Sequence, residues 1–315
     1  MSEPEKSGNW EREVLEKVAL AAVKEQRVAR HWNIFFKILG FGFLFIILFL
    51  TMNWAGNSSI DLAGKHTALV ELKGTISANE VSADQIISGL QAAFKDKNTK
   101  GVILRINSPG GSPVQAGQIY DEIKRLRTLY PNIPLYAVVD DLCASGGYYV
   151  AAAADRIYVD KASLVGSIGV LMDGFGFTGT MDKFGVERRL LTAGANKGFL
   201  DPFSPVNPQQ EAYAKVMLEE IHQQFIKAVR DGRGTRLKET PDMFSGLVWS
   251  GEKSISLGLA DALGSTEYVA RNVIHAENVV DFTPQEGFAD RFAKHFGVAL
   301  GKNINPLANM GMGLR

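Results

Sequence analysis

Ser145 stands between a β-branched run, Ala137-Val138-Val139, and a run of small residues, Gly146-Gly147-Tyr148-Tyr149-Val150-Ala151-Ala152-Ala153-Ala154. That order predicts a strand, a sharp turn at the serine, and a helix whose small side chains pack closely against a sheet. A hydroxyl at the first turn of such a helix faces main-chain N–H groups that the helix leaves free, and these favour developing negative charge. The logic is that of a nucleophile elbow without its Gly-x-Ser-x-Gly spelling. Ser-Gly-Gly alone also spells an ordinary turn. Cys143, the single cysteine, lies two residues before Ser145 and cannot form an internal disulfide. A thiol nucleophile is therefore a rival, although a lone cysteine beside a buried strand usually serves as a small hydrophobe.

A second group is Asn107-Ser108-Pro109-Gly110-Gly111-Ser112, between a predicted strand and a predicted helix. Paired glycines there let main-chain N–H groups approach a ligand with no Cβ in the way. The oxyanion of an acyl intermediate or a phosphate would both suit it. No Lys-Ser/Thr follows the glycines, which argues against a nucleotide phosphate loop. A serine nucleophile also needs a base, most often histidine. His66 begins a strand, His222 lies in a long helix, and His275 and His295 sit in the C-terminal part; none has the loop setting of a catalytic group. A lysine can take the role where its surroundings disfavour the charged form. Lys197 stands in such a loop, Gly194-Ala195-Asn196-Lys197-Gly198-Phe199-Leu200, with no acid nearer in sequence than Asp201. No His/Cys/Asp/Glu grouping has metal-ligand spacing, so no metal and no cofactor is expected.

The elements that must position these groups follow from periodicity. His66–Ile76, Gly101–Asn107, Ile133–Asp140 and Arg156–Val159 read as strands. Ser82–Phe94 and Pro113–Tyr130 have helical spacing, so the succession is βαβα, a mainly parallel sheet with covering helices. Ser163–Gly179 reads as a Gly-rich loop and strand, Phe177–Gly185 as a short helix, Val186–Thr192 as a strand, and Ala193–Pro205 as a long loop. Asn207–Asp231 is a long helix with Tyr213, Met217, Ile221 and Phe225 or Val229 as its stripe. Thr266–Ile274 is a further helix.

Before this body, 34–54 is the strongest class-level signal: Ile38 to Leu50 carries no polar side chain, and Trp32 and Trp54 flank it as interfacial anchors. It predicts a transmembrane helix. The region before it is too long for a signal-peptide n-region, and no small-residue cleavage site follows. Residues 1–33 form an amphipathic segment; 55–65 are a linker, 66–300 the main body and 301–315 a flexible tail. Lys24, Arg27, Arg30 and Lys37 precede the span, which puts the N-terminus in the cytoplasm and the body outside. The 315 residues carry 34 basic and 34 acidic side chains, so charge gives no reason to expect nucleic acid as a partner. Apolar residues at 46% suffice for a large core.

Taken together, strand-NSPGG-helix, ASGGYY before an Ala-rich helix, GSIGV, and a lysine 52 positions after Ser145 resemble the signal peptide peptidase A family, the S49 serine peptidases. The resemblance runs from about His66 to Gly264, including the GLADALG stretch. It implies a Clp-protease- or crotonase-like α/β fold and a serine-type endopeptidase with Ser145 as nucleophile and Lys197 as general base. It also implies that the Gly111 and Gly146 N–H groups form the oxyanion hole. The substrates implied are membrane-derived peptides such as remnant signal peptides, or a membrane-protein partner cleaved in the manner of stomatin-directed proteases. The setting implied is a bacterial inner membrane, with a ring or dome of identical subunits. A catalytically silent membrane scaffold of the same fold is the alternative; loss of Ser145 or Lys197 would point to it, and both are present. A crotonase-type acyl-CoA enzyme would need a cytoplasmic substrate, against the expected orientation.

Overall fold

The computed structural model describes residues 7–56 and 64–284. The predicted tail, 301–315, and most of the predicted linker lie outside the described residues. Two units are distinct, 1–61 and 62–315. In the first, a single 50-residue helix, α1 (Ser7–Gly56), runs through both the amphipathic and the apolar segment. At about 1.5 Å per residue it reaches about 75 Å, against about 30 Å of bilayer hydrocarbon. Within it, Arg12–Phe49 is long and apolar enough to cross a membrane, and none of its apolar window is buried against protein.

The second unit is built on one eight-stranded sheet. In chain order it contains β1 (His66–Lys73), α2 (Ala83–Lys95), β2 (Thr99–Ser108), α3 (Pro113–Leu129), β3 (Leu135–Ala144), α4 (Gly146–Ala151), β4 (Arg156–Val159) and β5 (Leu164–Gly166). Then follow α5 (Thr178–Phe184), α6 (Pro208–Arg233), β6 (Val248–Ser250), α7 (Gly251–Ser256), β7 (Ala262–Leu263), α8 (Thr266–Tyr268) and β8 (Val279–Asp281). The main strand order is β6-β5-β3-β2-β1-β8, with β4 beside the first half of β3 and β7 beside β4. All pairings are parallel except β5 with β6.

Strand residues alternate between two covered faces, as parallel strands must when both sides are buried. Ala68, Val70 and Leu72 of β1, Val102, Leu104 and Ile106 of β2, and Ala137 and Val139 of β3 face the larger core. There they meet Ile86, Leu90 and Phe94 of α2, Ile119 and Ile123 of α3, and Phe225 and Val229 of α6. Leu69, Ile103, Val138 and Tyr158 face the other way, against Val269 and Ala270. Both long covering helices start on the signals their sequences carry. Ser82 closes a capping box with Gln85, and Ser112 caps α3 ahead of Pro113.

One sequence expectation fails. Val186–Thr192 forms no strand: Glu187-Arg188-Arg189 is exposed, and no neighbouring strand offers a ladder to satisfy its backbone. Thr266–Ile274 is helical over its predicted span, α over Thr266–Tyr268 and π over Val269–Ile274, and ends at His275 with φ 60°. His275 in that left-handed position supplies the stop that a glycine usually provides.

Candidate active site

β3 delivers its chain to Ser145 at the carboxyl end of the sheet, and α4 starts on the next residue. Ser145 has φ 51° and ψ −124°, a conformation that L-residues rarely adopt and that the surroundings must hold. Its N–H donates to Gly166 O at 2.9 Å, and its C=O accepts from Tyr149 N at 3.0 Å. Although Ser145 is the N-cap of α4, its hydroxyl makes no capping bond. The side chain is half-buried and uncommitted.

The glycine turn after β2 lies against this elbow. A Cβ on Gly110 would fall 2.6 Å from Gly146 N and 2.7 Å from Ser145 Cβ, so only glycine fits. Ile76 N donates to Gly110 O and Ser112 N to Ile76 O, both at 2.8 Å, which leaves the Gly111 N–H out of the bridge between these segments. That N–H is close to Gly146: a Cβ on Gly146 would lie 3.3 Å from Gly111 N. Gly146 is the first residue of α4, where helix geometry supplies no partner for an N–H.

Ser145, Gly110, Gly111 and Gly146 line one cleft of about 870 Å³. Its walls are apolar: Val114, Tyr149, Leu171, Met217, Ile221 and Phe225 are among them. The stripe predicted for α6 therefore divides. Val229 is buried in the core, Phe225 is buried and also reaches the cleft beside Met217 and Ile221, and Tyr213 is exposed. Sequence reasoning missed Ser167, a second non-glycine residue at φ 51°, which also lines the cleft. The Gly-Ser-Ile-Gly run around it was legible as a close backbone approach, and its N–H donates to Leu247 O at 2.7 Å.

The other candidates are placed as follows. Cys143 is fully buried and its thiol is pushed far up by desolvation, so it packs as a hydrophobe and is no nucleophile. His66 is buried at the start of β1, near Thr99 Oγ1 and Gly64 O, and His222 engages Ile168 O at 3.1 Å. No described histidine lines the cleft. Lys197 lies in an exposed turn outside the cleft lining, with its N–H donating to Gly194 O. Asp201 is occupied elsewhere: the Ser204 hydroxyl and Arg188 hold its carboxyl below the usual range. Around Lys197 the chain exposes large apolar side chains, among them Phe175 at 80% and Leu191 at 96%. Among the described residues no cluster of His, Cys, Asp or Glu could hold a metal ion.

Residues 128–280 match the model of peptidase family S49, and residues 62–164 match that of Clp protease. The fold is accordingly Clp-protease-like. A protein of Brucella abortus (strain 2308) named Na(+)/H(+) antiporter NhaA is 41% identical over 229 residues, which are 71% of this chain and 31% of that one. A provisionally named protease of Methanocaldococcus jannaschii is 32% identical over 206 residues, covering 65% of each chain. A protein provisionally named signal peptide peptidase SppA, from Enterococcus faecium, is 27% identical over 66% of this chain and 60% of its own. The chain thus spans between about a third and two thirds of these relatives' length.

Proposed function

We propose that the chain, whose residues 128–280 match the model of peptidase family S49, is a membrane-anchored serine endopeptidase of that family, in which Ser145 is the nucleophile and Lys197 the general base. The observation that carries this reading is Ser145 itself. It has a positive φ and an uncapped hydroxyl, and it lines an apolar cleft together with Gly111 and Gly146.

In the proposed reaction, uncharged Lys197 Nζ accepts the Ser145 Oγ proton as Oγ bonds to the peptide carbonyl carbon. The carbonyl oxygen becomes an oxyanion held by Gly111 N–H and Gly146 N–H, each worth about 3–4 kcal/mol in comparable sites. Lys197 then gives its proton to the leaving nitrogen as the C–N bond breaks, and water hydrolyses the acyl-serine by the reverse roles. The apolar cleft favours apolar side chains beside the scissile bond. Peptides left in or near a membrane, such as remnant signal peptides, are the substrate class that fits. With α1 as the anchor and its basic flank in the cytoplasm, the body faces the outer side of a bacterial inner membrane.

Lys197 lies outside the cleft in the single chain, so the site needs a further step. The exposed apolar side chains of 171–206 exceed what scattered surface hydrophobes account for. We infer that a neighbouring copy covers them in a ring or dome. That covering brings Lys197 to a Ser145 of its own or the neighbouring subunit. The exposed position of Lys197 also fits a second reading, a silent scaffold that never closes the site.

Hydrolysis of apolar peptides by the full-length protein in detergent separates the two. For the peptidase, Ser145→Ala and Lys197→Ala both abolish turnover while assembly persists. A fully assembled wild type that cleaves nothing favours the scaffold.

A further inference from the structure

Behind the cleft, the reactive elbow is tied to a buried ionic lock that the reaction does not touch. Tyr148, in the first turn of α4, is fully buried, and its hydroxyl donates to Leu259 O at 2.7 Å. Among the described residues this is the one side-chain hydrogen bond made by residues 146–151. Burial pushes the phenol far up, so it stays a donor. Leu259 sits in the turn Gly258–Asp261, which is fixed on several sides. Gly258 has φ 77° and its O accepts from Arg233 Nε at 2.8 Å. Asp261 accepts from Arg233 Nη1 at 2.9 Å, from Arg236 Nη1 at 3.1 Å and from the Ile157 N–H at 2.7 Å. Arg236 also donates to Asp155 O and Gly232 O, both at 2.7 Å.

Stability alone is a poor reason for this lock. Arg233 is 1% exposed and its Nη2 has no hydrogen-bond partner, a cost that an apolar side chain would avoid. What the lock does provide is a fixed carbonyl at Leu259. α4 has only six residues and cannot hold its own orientation, yet its first turn carries both Ser145 and the Gly146 N–H. On the cleft side that turn is bounded by Gly110 and by Ser108, whose O would lie 3.1 Å from a Cβ on Gly147. On the far side it is held through Tyr148.

We propose that Tyr148 is a positioning residue, which with the Arg233–Asp261 lock sets the angle of the α4 first turn and hence the aim of the Gly146 N–H. The proposal rests on the assignment of Ser145 as nucleophile. A misaimed N–H weakens the oxyanion complex and leaves the binding of an unreacted peptide unchanged.

The test uses the full-length protein in detergent, with Tyr148→Phe, which removes one oxygen and keeps the ring. Two probes are compared: a peptide aldehyde, which adds to Ser145 and forms an oxyanion, and the product peptide, which does not. For Tyr148→Phe, kcat falls about tenfold or more with KM within about twofold, and aldehyde affinity falls by the same factor as kcat. Product affinity is unchanged. Asp261→Asn shifts the same two quantities in the same direction. Aldehyde affinity and kcat equal to wild type in Tyr148→Phe overturn the proposal, as does an equal loss of aldehyde and product binding, which marks a merely structural role. If the wild type itself fails to bind the aldehyde better than Ser145→Ala does, the nucleophile assignment falls first, and the positioning role with it.

Discussion

The two halves of the proposed dyad stand in opposite surroundings. Ser145 is held from every side: by Gly166 O on its N–H, by Gly110 against its Cβ and by α4 behind it. Lys197 lies in a turn whose side chain faces solvent, within a stretch that exposes Phe175, Phe184 and Leu191. The proposed nucleophile's geometry is thus set by the fold of one chain, whereas the proposed base depends on an assembly that would cover its loop. Ser145 is preorganised; Lys197 is conditional.

Changes on the preorganised side should have the largest effects and leave assembly untouched. Gly110→Ala places a Cβ 2.6 Å from Gly146 N at φ 100°, so elbow and glycine turn must separate. Turnover should fall about 10²–10³-fold, as when an oxyanion donor is lost, while the sedimentation of the assembly stays unchanged. An active Gly110→Ala variant would show that the close approach is incidental.

Asp261→Asn breaks the lock while keeping its shape, at a cost of about 3–5 kcal/mol for an orphaned buried charge. Desolvation of Asp261 works against its charge, but Arg233, the Ile157 N–H and Arg236 outweigh it and hold the carboxyl below its usual value. The folded pKa is depressed, so this stabilisation is complete above about pH 4 and disappears as pH falls through the folded value. Thermal unfolding below pH 4 should therefore narrow the gap between wild type and Asp261→Asn. A gap that stays constant down to pH 2 would contradict the assignment. Smallest of all, Cys143→Ala should keep turnover within about twofold and cost about 1 kcal/mol in denaturant melts, because the thiol only fills space.

The preorganised half was readable from sequence because local signals agree there. Val138-Val139 before Ser145, the small residues after it and the glycine pair at 110–111 each encode a backbone shape, and those shapes meet at the end of a parallel sheet. The two-sided burial of β1, β2 and β3 was legible in their near-continuous apolar runs. Ser167 was not singled out, since its positive φ comes from the antiparallel β5–β6 return and from Leu247 O, both far along the chain. Val186–Thr192 was misread because a short local run carries no information on whether a partner strand is available. Lys197 was singled out by its small neighbours, yet those neighbours say nothing about its surroundings in an assembly. The ionic lock escaped notice for a similar reason: Arg233, Arg236 and Asp261 look like solvated charges until α6 and the 258–261 turn are packed together.

The central claim, a fixed nucleophile waiting for a conditional base, is tested most directly by turnover per chain across a dilution series. Full-length wild type and Lys197→Ala would be assayed in detergent, with the oligomeric state read at each concentration. The account predicts that wild-type turnover per chain appears only as the assembly forms, and that Lys197→Ala assembles equally well but stays inert. A dissociated wild-type chain as active as the assembled one, or an active Lys197→Ala assembly, would contradict it.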